Sequence, residues 1–179
     1  MTIDWNIALG ITAPIVTVIG LVIANRATKK QIVAETEKLK QQVVLDKMED
    51  VPYDLLILFN EMKNGPSKGV SDRYESTMTK IFTYGSPSAV SLASNMQQKN
   101  YTSNNSQKPQ VEEEKFITLV YLVLLVVQIK YDLTGVITSP IEWFKLKLTD
   151  FSKESFEDTI KQQVNEVVRI HGLDKRFKV

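Results

Sequence analysis

Twenty consecutive residues without a charged side chain, Trp5 to Ala24, constrain this chain more than any other stretch of it. A helix rises about 1.5 Å per residue, so such a run covers roughly 30 Å, the thickness of a bilayer's hydrocarbon core. Trp5 stands at one end, where an amphipathic ring suits the headgroup level. Arg26, Lys29 and Lys30 follow the other end, while the flank before the run holds Asp4 and no Lys or Arg. Basic residues collect on the cytoplasmic side of a span. The expected topology is therefore a single pass through the cell inner membrane, N-terminus outside and everything from Arg26 onward in the cytoplasm. A cleaved signal peptide needs a basic leader and usually a shorter apolar run, which makes a retained anchor the better reading. A buried core helix is the other alternative.

The run has an internal pattern. Asn6, Gly10, Ala13, Thr17, Gly20 and Ala24 recur at alternating steps of four and three, the spacing of a coiled-coil seam written in small and weakly polar residues. Lipid supplies no hydrophobic drive for helices to associate. Small residues instead allow close backbone approach, and Asn and Thr bond across helices. The stripe is thus expected to be an oligomerisation or pore-lining face, although Gly, Ala and Thr are common in membrane helices generally. Pro14 lacks an N–H and is expected to kink the span.

Beyond the anchor, composition narrows the function classes. A net charge of +1 argues against binding nucleic acid through bulk charge. With no cysteine and only His171 as histidine, Cys/His zinc sites are excluded, and a His-based triad has one residue to draw on. No Gly-rich phosphate loop or nucleophile elbow is present. The expectation is a protein that is not an enzyme, with no metal or cofactor.

Residues 26–50 read as a polar helical stalk, rich in strong helix formers. Ile32, Thr36, Leu39 and Val43 again step by four, three and four, so the seam of the anchor is expected to continue into the cytoplasm; a plain solvated connector is the alternative. Residues 51–179 then read as one cytoplasmic domain of about six helices, long enough for a packed core. Pro52 breaks the stalk or opens the next helix, and Asn64-Gly65-Pro66 closes that one. A helix capped by Ser71 or Asp72 is expected to bury Tyr74, Met78, Ile81 and Phe82 and to stop at a left-handed Gly85. Ser86-Pro87 opens another, and Lys99–Pro109, rich in Asn and Ser, reads as an exposed loop. Val111–Tyr131 holds 14 uncharged residues between Lys115 and Lys130, short for a span and apolar on nearly all sides. That describes the buried centre of a bundle, with a strand or a second membrane segment as alternatives. Ser139-Pro140, with Glu142 completing a capping box, opens a helix carrying Trp143, Phe144, Leu146 and Leu148. The last helix runs to His171 with Phe156, Ile160, Val164, Val167 and Val168 inward and Gly172 as its stop; Lys175, Arg176 and Lys178 form a solvated tail. The fold class is all-α: one transmembrane helix over residues 1–25, a stalk, and a helical bundle.

Two helix starts, Tyr84-Gly85-Ser86-Pro87 and Thr138-Ser139-Pro140, offer free backbone N–H groups to an anion. Arg73, Lys80, Lys130, Lys145 and Lys147 supply positive charge if the fold gathers them, and Tyr84 or Tyr101 an aromatic face for a base. The bland alternative is ordinary caps and surface lysines. His171, at a helix end, is read as meeting the helix dipole rather than acting as a base.

The order of one N-terminal span, then Tyr84-Gly85-Ser86, then Lys130, Asp132, Leu133, Thr134 and Gly135, then Ser139 and Pro140, then Lys145, Lys147, Asp150 and Phe151 resembles small bacterial membrane-anchored helical proteins that serve as membrane effectors in anti-phage systems, those of the Hailong type among them. The resemblance covers most of the cytoplasmic part through short motifs. It implies a homo-oligomeric channel opened by a nucleotide or oligonucleotide ligand, with the nucleotidyltransferase that makes the ligand as partner. The competing class is a membrane-anchored adaptor that holds a protein partner at the cytoplasmic face and conducts nothing.

Overall fold

The computed structural model describes residues 5–62, 67–105, 112–148, 151 and 154–179, with side chains described at Leu21 and from Ala24 onward except at 62–66, 103–115, 149–150 and 152–155. Among these residues the fold is all-α, without a strand: α1 (Trp5–Met48), α2 (Val51–Met62), α3 (Lys68–Tyr84), α4 (Pro87–Asn105), α5 (Glu112–Thr134), α6 (Pro140–Lys147), α7 (Glu154–Ile170) and a closing 3-10 turn at Lys175–Phe177. The chain divides into two compact units, one ending at Val43 and one starting at Val44.

Among the described residues, the first unit is helix alone. α1 runs 44 residues without a break, about 66 Å at 1.5 Å per residue. Every residue from Ala24 to Lys47 is exposed. The polar composition explains this, because only Ile32, Val33, Leu39 and Val43–Leu45 are apolar and large over residues 25–47.

The second unit is a bundle built on α5, which packs against α2, α4, α6 and α7. From Leu119 to Leu125 every side chain of α5 is buried, and Val127 and Ile129 follow. A helix apolar all round needs partners all round, and this one has them. Among the described residues, Phe116–Thr134 is the one helix long and apolar enough to cross a membrane, with mean hydropathy 1.9 over 19 residues and 56% of its apolar window buried. Of the anchor expected at residues 5–24 the helical backbone is described, but among its side chains those described are Leu21 and Ala24, both exposed. Six aromatic rings make a chain of contacts, Phe59, Trp143, Phe144, Phe151, Phe156 and Phe116 of α5, with centroids 4.7–6.4 Å apart; all meet edge to face except the stacked Phe144–Phe151 pair. Such pairs add to the area they bury.

Several local expectations need correction. Ser67, not Ser71 or Asp72, caps α3, its Oγ accepting from the Val70 N–H at 3.3 Å. Phe82 is 76% exposed and Leu146 81% exposed, so neither is core; Thr77 takes the inward place on α3. Gly85 is extended (φ −74°), not left-handed. It is needed for close approach instead: a Cβ there would stand 2.5 Å from the Ile81 carbonyl oxygen. Gly135 and Gly172 hold the left-handed conformations, at φ 69° and 58°. α4 continues through Asn105, so the first half of the expected Lys99–Pro109 loop is helix. Ser139 stands at the start of α6 but its side chain makes no capping bond, and Glu142 pairs with Lys145 rather than closing a box. Lys175, Arg176 and Lys178 of the C-terminal tail are exposed, as expected, but the main chain that carries them is packed down. Phe177 is fully buried, and Asn165 holds the main chain of Val179 through both its N–H (2.9 Å) and its carbonyl (2.7 Å).

Candidate functional site

The expected ligand residues are distributed over three regions of the bundle. Arg73, on the first half of α3, donates to Glu61 of α2 at 3.0 Å. Lys80 and Tyr84 share one shallow surface of α3 with Asp72, Glu75, Ser76, Thr79 and Thr83. Two carboxylates therefore accompany the one cation there. Lys145 and Lys147 lie on α6, exposed, with Lys145 paired to Glu142 at 3.1 Å.

The third region is the C-terminal end of α5, where both candidate helix starts converge. Ser86 caps α4: its Oγ accepts from the Ala89 N–H at 3.2 Å and donates to Asp132 Oδ2 at 2.6 Å. Asp132 Oδ1 in turn accepts from the Gln128 amide at 2.7 Å, which satisfies one of the few buried polar side chains in the core. The N-terminus of α4 favours negative charge, and the fold places its own carboxylate there. Lys130 Nζ donates to Thr138 Oγ1 at 2.7 Å, tying α5 to the residues just before α6. Ser86 and Lys130 are thus brought to the same end of α5, yet each is engaged by a protein partner. Nearby, the Arg176 guanidinium lies 5.6 Å over the Tyr131 ring and bonds its hydroxyl at 3.2 Å. The same guanidinium holds the Asp174 carboxyl down at about 2 through a hydrogen bond.

Sequence reasoning missed a polar bridge through the core. His171 lies just past α7. Its Nδ1 is 3.0 Å from Ser91 Oγ on α4, and its Nε2 is 3.3 Å from the Tyr121 hydroxyl on α5. The two rings meet edge to face with centroids 5.5 Å apart. Burial lowers the imidazole pKa and raises that of the Tyr121 phenol, so both are neutral near pH 7. This corrects the dipole reading: the ring is spent linking three helices. Only the histidine itself was visible in the sequence, because its partners lie 80 and 50 residues away.

A second missed feature is a groove between α3 and α4, of about 630 Å³, with Met78, Ile81, Val90 and Ala93 on its floor. Phe82, 76% exposed, and Tyr101, 57% exposed, stand at its edges. Tyr74 bonds Gln97 across it, and burial, with Tyr101 adding to it, pushes the Tyr74 phenol up to about 12. Its one charged lining residue is Glu75.

The stripe Asn6, Gly10, Ala13, Thr17 and Gly20 falls where side chains lie outside the description; Ala24 is exposed. What the backbone adds is continuity. Because α1 is unbroken from 5 to 48, the two seams share one axis. At ~100° per residue the positions 32, 36, 39 and 43 are centred about a quarter turn round from positions 6 to 24. The second seam is therefore not an extension of the first on the same face. Comparison with known protein families, with curated proteins and with solved structures finds no match to this chain.

Proposed function

We propose that this protein is a single-pass membrane effector that associates with copies of itself through its N-terminal helix, and that its assembled spans form a pore or disrupt the membrane in a bacterial defence system. The observation that carries this reading is α1. Its backbone is helical from Trp5 to Met48, so an uncharged run of membrane length is followed within the same helix by a stretch exposed from Ala24 to Lys47. The head supplies the sensing element, and the end of α5 is where a nucleotide or other anion would compete with Asp132 for the start of α4. Replacing Gly10, Ala13, Thr17 and Gly20 by Leu keeps the run apolar and removes its small-residue stripe. Dye leakage from cells expressing the protein is expected to disappear in that variant. Unchanged leakage would remove the pore.

One observation favours the adaptor as second reading. The α3–α4 groove, with exposed Phe82 and Tyr101, is a surface of the kind protein partners occupy. An adaptor needs only hydrophobicity in its anchor, so it survives the four-fold Leu variant and fails in Phe82→Ser with Tyr101→Ser.

A further inference from the structure

We propose that the exposed stalk of α1 pairs with the stalk of a second copy as a parallel, in-register two-stranded coiled coil centred on residues 32–43. This rests on the self-association proposed above and assigns it a second, water-side interface.

The first ground is exposure. Ile32, Leu39 and Val43 are 56%, 64% and 51% exposed, in a helical stretch where every residue from Ala24 to Lys47 is exposed. Most helical stability in proteins comes from packing one apolar face, and this face is bare. The second is the kind of residue at each place. With Thr36 and Val43 at a and Ile32 and Leu39 at d, the Leu39–Val43 half of the seam has Leu at d and Val at a, the pairing that favours two strands. The Thr36 hydroxyl already donates to the Ile32 carbonyl at 2.8 Å, so it enters a dry seam satisfied.

Charge fixes direction and register. In this heptad Glu35 takes a g position and Lys40 the following e. In a parallel, in-register pair each Glu35 faces the Lys40 of the other strand, on both sides of the seam. An antiparallel pair sets g against g and e against e and loses that match. In the single chain neither group is strongly engaged. Lys40 reaches Glu37 at 3.4 Å with both side chains well exposed, and Glu35 accepts only the Gln31 amide at 3.2 Å. Lys29 at the preceding a and Asp46 at the following d bound the apolar seam to this window.

The chain has no cysteine, so single cysteines can be placed without background. The full-length protein in detergent, carrying Cys at 36, 39 or 43, is oxidised mildly and run without reductant beside variants carrying Cys at 34 or 41, the outward f positions. The expected result is disulfide-linked dimer, at least about five-fold more of it, at 36, 39 and 43. Glu35→Lys lowers the yield at 39, and Glu35→Lys with Lys40→Glu restores it. Equal yields at all five positions, or none, from a protein whose detergent-corrected mass is oligomeric overturns the stalk pairing and leaves self-association through the span standing. A monomeric mass overturns both. Cross-linking at 36, 39 and 43 that the charge swap does not rescue overturns the parallel register.

Discussion

Gly69 and Gly85 lie in and just past the same helix and predict opposite outcomes. A Cβ at Gly69 meets nothing within 4 Å, and the residue is helical, so Gly69→Ala is expected to stabilise the head by up to about 1 kcal/mol through reduced freedom of the unfolded chain. At Gly85 the added carbon would stand 2.5 Å from a backbone oxygen, and neither the α3 terminus nor Pro87 two residues on gives way cheaply. Gly85→Ala is expected to cost about 1–3 kcal/mol. Urea unfolding followed by Trp143 fluorescence in both variants checks the pair. His171 makes a pH prediction of definite sign. Its folded pKa is below the unfolded value, so the unfolded chain takes up the proton first and stability falls as pH drops below about 6.5. Thermal unfolding between pH 7.5 and 5 is expected to show that decline, and His171→Gln to flatten it.

At the scale of elements, the Ser86–Asp132–Gln128 relay ties the start of α4 to the end of α5. Ser86→Ala removes an N-cap and strands part of the relay, at an expected cost of about 1 kcal/mol in the same urea assay. Phe144 is fully buried among the aromatic rings, so Phe144→Ala is expected to cost about 3–5 kcal/mol. These elements show what was legible beforehand. The all-α class, the buried α5 and the inward face of α7 follow from local periodicity and apolar count, which the sequence displays directly. Leu146 and Phe82 were misplaced because periodicity tells which side of a helix is apolar, not whether a neighbour arrives to cover it. Ser67 was missed because the better-looking cap pattern, Asp72 with Glu75, lies one turn further on. The candidate site was the least legible part. Lysine and arginine positions can be read from a sequence, but whether each finds a carboxylate or hydroxyl depends on chain folding. Here Arg73 found Glu61 and Lys130 found Thr138.

For the whole molecule, the firmest expectation concerns where it goes. If the uncharged run is an anchor, the intact protein stays in the membrane pellet through alkaline carbonate and high salt, and a chain beginning at Val51 is released to the supernatant. A carbonate-soluble intact protein would remove the membrane reading along with the pore. The depth at which α5 is enclosed carries one more consequence, and it concerns synthesis. When α5 is complete, α2 and α4 have already been made, but α6 and α7, the rest of its cover, have still to be made. During that interval a segment greasy enough for an insertion channel stands half clothed. Faster elongation from residue 135 to 170 is therefore expected to shorten the time in which α5 can be inserted into a membrane before it is covered.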